Sequence, residues 1–173
     1  MQEASICPME IRFEQPEDFA AIRTLTSAAF LQAPHSNQAE AAIIDALRKA
    51  GALTISLVAV NGGVLVGHIA FSPVAINGEA NGWYGLGPVS VRPDRQRRGI
   101  GQTLIRTGLD YLRAMNAQGC VVLGDPVYYG RFGFVSDPNL RYGNVPPGYF
   151  QRLAFRNAVP KGEVSFHPGF DAS

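Results

Sequence analysis

The stretch Gly87-Pro88-Val89-Ser90-Val91-Arg92-Pro93-Asp94-Arg95-Gln96-Arg97-Arg98-Gly99-Ile100-Gly101-Gln102 sets a glycine-containing loop between a Val-rich strand and a helix start. Upstream, residues 83–91 read as strand. Downstream, Ile105, Leu109 and Leu112 recur at helical spacing within residues 100–115, and Gly119 is the expected stop. A short apolar run, Cys120-Val121-Val122-Leu123-Gly124, follows. Strand, helix and strand in that order predict a crossover between two parallel neighbours. The first amides of a helix lack internal partners and carry about +0.5 charge. Glycines at 99 and 101 let an anion approach them, and Arg95, Arg97 and Arg98 add positive charge. The combination reads as a phosphate-binding helix N-terminus. A dinucleotide fingerprint fails, because its third glycine position is Leu104, and no P-loop pattern is present.

Working outward, Met9, Ile11 and Phe13 alternate with charged residues as a half-buried strand. Pro16 opens a helix that keeps Phe19, Ile22, Leu25 and Ala29 on one face. A second helix is expected from about Asn37, with Asn37 as cap, Glu40 three positions on, and Gly51 at its end. Residues 53–60 and 64–76 form a hairpin about Asn61-Gly62-Gly63, and Asn77-Gly78 and Asn81-Gly82 mark the next turn. Asp125-Pro126 reads as a helix cap. The proline-rich tail, residues 137–173, holds two expected strands near 149–155 and 163–166. The sum is a mixed α/β fold in one domain spanning residues 1–173, with residues 1–8 as an N-terminal extension.

Composition agrees with one folded domain that buries a sizeable core. The 173 residues carry 46% hydrophobic and 17% charged side chains, with 15 Lys+Arg against 14 Asp+Glu. A net charge of +1 gives no global case for nucleic acid or a membrane surface as partner. The arginines at 92, 95, 97 and 98 lack interleaved aromatics, which favours the phosphate of a small ligand over a polynucleotide. Cys7 and Cys120 give neither a disulfide framework nor metal spacing. No signal peptide or apolar span of membrane length is visible, so the cytoplasm is the expected address.

Two motifs carry a resemblance. Gln96-x-x-Gly99-x-Gly101 is similar to the Q/R-x-x-G-x-G/A acyl-CoA signature of the GNAT superfamily of N-acetyltransferases, and Tyr129-Gly130-Arg131-Phe132-Gly133-Phe134 resembles that family's Y-x-x-x-G-F segment. The resemblance covers roughly residues 9–136. It implies a β-α-α-β-β-β-α-β-α-β-β mixed sheet with a bulged, splayed central strand pair. It also implies acetyl-CoA as cosubstrate and no metal. The pyrophosphate would sit on the amides of Arg97, Arg98, Gly99, Ile100, Gly101 and Gln102. The pantetheine arm would pair with Val89, Ser90 and Val91, and the Val89 amide would polarise the acetyl carbonyl. Gly87-Pro88 fits a bulge independently, since proline inside a strand is confined to edges and bulges.

By the same resemblance Tyr129 is the general acid that protonates the departing thiolate. A phenol of pKa about 10 stays protonated at pH 7. Packing beneath the tail is the plain alternative, and Tyr128 is the neighbouring candidate. The base stays open among Asp125, Glu40, His68 and a water relay. Asp125 doubles as a helix cap, Glu40 as a capping-box residue, and His68 as a satisfied core histidine. No glutamate stands on the bulged strand, where Ser90 and Ser72 are the nearest polar residues. The resemblance implies a small-molecule or peptide amine as acceptor, and Tyr142, Tyr149, Phe150 and Phe155 suggest an apolar wall. A homodimer is left open. The rival to a direct-attack N-acetyltransferase is a catalytically idle acyl-CoA-binding module.

Overall fold

The structure, a computed structural model, describes residues 9–34 and 36–173; the expected extension, with Cys7, lies outside them. β1 (Met9–Phe13) pairs antiparallel with β2 (Ile55–Asn61). Gly62 and Gly63, both at positive φ, turn β2 into β3 (Val64–Ile76) with Asn61 opposite Val64. That two-residue turn needs left-handed backbone, which glycine adopts without a Cβ penalty. β3 pairs with β4 (Trp83–Val91), and β4 then runs parallel to β5 (Gly119–Leu123).

Alternation along the strands builds a core on both faces. Leu57, Ala59, Ile69 and Phe71 pack with Leu104, Ile105, Leu109 and Leu112 of α3 (Ile100–Ala114). Val58 on the opposite face joins Ile22 of α1 (Phe19–Phe30) and Ile44 of α2 (Glu40–Lys49). Coverage from both sides explains why these strands are apolar at nearly every position.

Two helix boundaries and the strand count of the tail differ from expectation. The second helix begins at Glu40 with Ala39 as N-cap, because the Asn37 side chain instead accepts from the Ala39 amide and Ser36 donates to Glu40. Asn116 at φ 62, not Gly119, closes α3: its amide donates to Arg113 and that of Ala117 to Leu112. These are Schellman bonds, and they free Gly119 to begin β5. The tail contributes three strands rather than two. β7 (Phe150–Ala154) adds antiparallel to β5, while β8 (Gly162–Phe166) pairs with the end of β3 and with the two-residue β6 (Leu140–Arg141).

His68 is fully buried on β3, its Nε2 within 2.7 Å of the Ser56 hydroxyl, while Nδ1 has no partner among the described residues. Burial, with the charge of Arg48 adding to it, lowers its pKa from 6.5 to about 3. Between those values the unfolded chain binds a proton that the native state excludes, so stability falls as pH falls. The contribution is complete above about pH 6.5. His68→Gln should flatten the acid loss of stability, read as denaturant midpoints between about pH 7 and pH 4. Parallel pH profiles for the two proteins would remove His68 as its source.

Candidate active site

The β4–β5 pairing lasts three residues, Trp83, Tyr84 and Gly85 against Gly119, Cys120 and Val121. Beyond it the strands part. On the other side of β4, Ile69 opposes Val89 and Phe71 opposes Leu86, so two residues, Gly87 and Pro88, face a single Ala70. Proline has no N–H for a ladder, and a two-against-one bulge bends its strand. The expected bulge and splay are therefore present at Gly87-Pro88.

β4 leads through a loop into α3. Arg97 and Gly99 both adopt left-handed backbone, at φ 63 and 83, and a Cβ at Gly99 would point into open space. The Gly99 carbonyl accepts from the Thr103 amide and hydroxyl. Among the described residues, nothing accepts from the amides of Arg97, Arg98, Gly99, Ile100, Gly101 or Gln102. Arg92 pairs with Asp94 at 2.8 Å, while Arg95, Arg97 and Arg98 have no carboxylate partner among the described residues. The result is a rank of amide donors with positive charge beside it, which suits an anion. Val89 and Val91 rest on the core, and the Ser90 hydroxyl is buried without a partner among the described residues.

Asp125 accepts from the Val127 amide and caps the short helix α4 (Pro126–Gly130). Its two tyrosines diverge. Tyr128 sends its hydroxyl toward Gly101, within 3.3 Å of where a Cβ there would stand. Tyr129 lies against Gly124 and lines a cavity of about 510 Å³ with Leu86, Gly87, Pro88, Val89 and Leu123. Burial, then Tyr128 and Cys120, push the Tyr129 phenol above its ordinary range.

Glu40 and Ser36 line the same cavity from the α1–α2 side, while His68 is sealed in the core. The apolar wall is only partly the expected one. Tyr142 belongs to it, but Tyr149, Phe150 and Phe155 do not; Phe166 and Phe170 take their place. Those two were not legible, because β8 reaches the cavity only by pairing with the far end of β3. Cys120 is fully buried, with its thiol pushed up by desolvation. Among the described residues no cluster of His, Cys, Asp or Glu could hold a metal ion, and no helix is long and apolar enough to cross a membrane.

A family model for the GNAT acetyltransferase domain matches residues 10–136. The N-acetyltransferase YhbS of Escherichia coli strain K12 is 39% identical over 127 residues, covering 73% of each chain. A crystal structure of a GNAT family acetyltransferase from Brucella melitensis, in complex with acetyl-CoA, superposes with TM-score 0.87 at 54% identity, over 95% of this chain and 99% of that one. YhbS from Escherichia coli, in complex with CoA, gives 0.88 at 32% identity, over 99% and 96%. The chain belongs to the GNAT family of acetyltransferases.

The seat of Tyr129 depends on the missing side chain at Gly124, where a Cβ would overlap the phenol ring. Gly124→Ala should therefore destabilise by about 1–3 kcal/mol, or roughly 2–12 °C in Tm. Gly130→Ala, where a Cβ meets nothing within 4 Å, is the control and should leave Tm unchanged or raised. Equal Tm values by calorimetry for both variants would mean that Tyr129 is not held there.

Proposed function

We propose that this acetyltransferase moves the acetyl group of acetyl-CoA to a primary amine by direct attack, with Tyr129 as general acid. One observation carries the reading: the cavity between the parted strands has the Gly87-Pro88 bulge on one wall and Tyr129 on another. Relatives solved with acetyl-CoA or CoA supply the cosubstrate. The unpartnered amides of Arg97, Arg98, Gly99, Ile100, Gly101 and Gln102 suit its pyrophosphate, and Val89, Ser90 and Val91 suit its pantetheine arm. With no N–H on Pro88, the Val89 amide is the donor for the acetyl carbonyl. We read residues 1–173 as one acetyltransferase domain whose tail walls the acceptor side, working in the cytoplasm.

In the step proposed, the amine nitrogen bonds to the thioester carbon, the carbon–sulfur bond breaks, and the sulfur leaves with a proton from Tyr129. The extra proton on the new amide nitrogen passes through water to restore the Tyr129 phenol. A phenol held above its ordinary pKa remains protonated at neutral pH, and so remains a donor. The amine must first lose a proton, which costs about 4.6 kcal/mol at pH 7 for a pKa of about 10.4. Asp125 is occupied as a cap and His68 is sealed on Ser56. That leaves Glu40, on the cavity wall, and a water relay as the routes for the proton. The buried Cys120 thiol does not suit a covalent acetyl-cysteine route.

Coenzyme A at about a hundred times its Kd should stabilise the fold by about 2.7 kcal/mol, or roughly 5–11 °C. Gly101→Val should remove more of that shift than Arg98→Ala, because a branched side chain crowds the amides and the Tyr128 hydroxyl. The reverse order in a thermal-shift titration would make the arginines the main phosphate ligands.

Tyr129→Phe removes one oxygen and keeps the packed ring. Positioned acid catalysis contributes about 10²–10⁴-fold, so kcat should fall by that much with coenzyme A affinity nearly unchanged. Tyr128→Phe should keep kcat near wild type. Full turnover by Tyr129→Phe would remove the acid role. An idle binding module would show the coenzyme A shift with no turnover on any amine.

A further inference from the structure

We infer that the acceptor is a primary monoamine with an apolar or aromatic body and no carboxylate beside the amine, its ammonium held by Glu40. This deepens the acetyl-transfer reading and rests on it.

Glu40 stands at the first turn of α2 and lines the cavity shared with Tyr129 and the bulge. Its Oε1 accepts from the Ser36 hydroxyl, which fixes the side chain, while Oε2 is buried with no partner among the described residues. A capping role would explain this carboxylate, but Ala39 is the N-cap and the Glu40 side chain bonds to no cap amide. A buried acceptor without a donor is costly, and more so when it is charged. An ammonium brings three N–H donors and the opposite charge.

The rest of the wall sets the class. Glu40 is the only charged side chain among the described lining residues. An amino-acid carboxylate would enter with no cation to meet it, and the second ammonium of a polyamine with no second carboxylate. Phe30, Tyr142, Phe166 and Phe170 form the apolar part. Tyr142 stands edge-on to Phe166 at 4.9 Å, and Phe166 meets Phe170 at 5.0 Å. These rings accept an aryl or alkyl group, and a cavity of about 510 Å³ suits a small ligand.

The test titrates phenethylamine, phenylalanine and spermidine into the full chain with coenzyme A present, and measures acetyl-CoA turnover with each. Phenethylamine should bind and be acetylated, and the other two should bind at least about tenfold more weakly. Glu40→Gln should weaken phenethylamine binding about ten- to hundredfold while the thermal shift with coenzyme A persists. Should that variant not fold, the three-amine ranking on the wild-type chain decides alone. Preference for phenylalanine or spermidine, equal phenethylamine affinity in Glu40→Gln, or no phenethylamine binding overturns the inference. Glu40-dependent phenethylamine binding without acetylation upholds the ligand class and overturns the acetyl-transfer reading instead.

Discussion

The parallel contact between β4 and β5 holds for three residues, and the position at which it ends arranges everything around the site. Up to Gly85 the two strands share a ladder. At Gly87-Pro88 the chain inserts an extra residue against β3 and lacks a donor, so β4 turns along β3 while β5 continues with β7. Sheet hydrogen bonds are cooperative and directional, so a gap opened at one position widens along both strands. The wedge that results is the cavity, closed at its sides by α4, the α1–α2 turn and the tail. A strand pair that continued in register would leave room for none of these walls to face one another.

The two ends of this wedge differ electrically. Toward α3 lie a helix dipole, six amides without acceptors and three arginines without carboxylate partners, counted among the described residues. Toward α2 the walls are aromatic and aliphatic, with one carboxylate. A ligand with a charged phosphate end and a small reactive end has only one favourable orientation in such a field. Tyr129 stands between the two, and burial keeps its proton on the oxygen.

The tail is part of the same packing unit. Val164 and Phe150 join Trp83, Val121 and Val74 in one buried cluster, which ties residues 140–166 to the base of the splay. Because β8 docks on the far end of β3, its Phe166 ring is delivered to the cavity, and a Cβ at Gly85 would strike that ring. Absence of a side chain at the last paired residue of β4 thus lets the tail close over the opening.

Local chemistry in the chain determined much of this. Gly62-Gly63, the i, i+4, i+7 spacing in α3, the proline at 88 and the Asp125 cap are short-range features whose physics needs no distant partner. They placed the bulge, the glycine loop and the tyrosine pair in the right order. Other features were decided only by the tertiary structure. The choice between Tyr128 and Tyr129 as the one facing the cavity depends on how α4 rolls against Gly124 and Gly101. Asn116 replaced Gly119 as the helix stop because β5 required Gly119 for its pairing with Trp83. Glu40 lost its capping role because the N-cap fell on Ala39, and the aromatic wall came from Phe166 and Phe170 because β8 pairs across some ninety positions of sequence with β3. Contacts of that separation follow from which surfaces remain uncovered once the sheet has formed, and no local pattern encodes them.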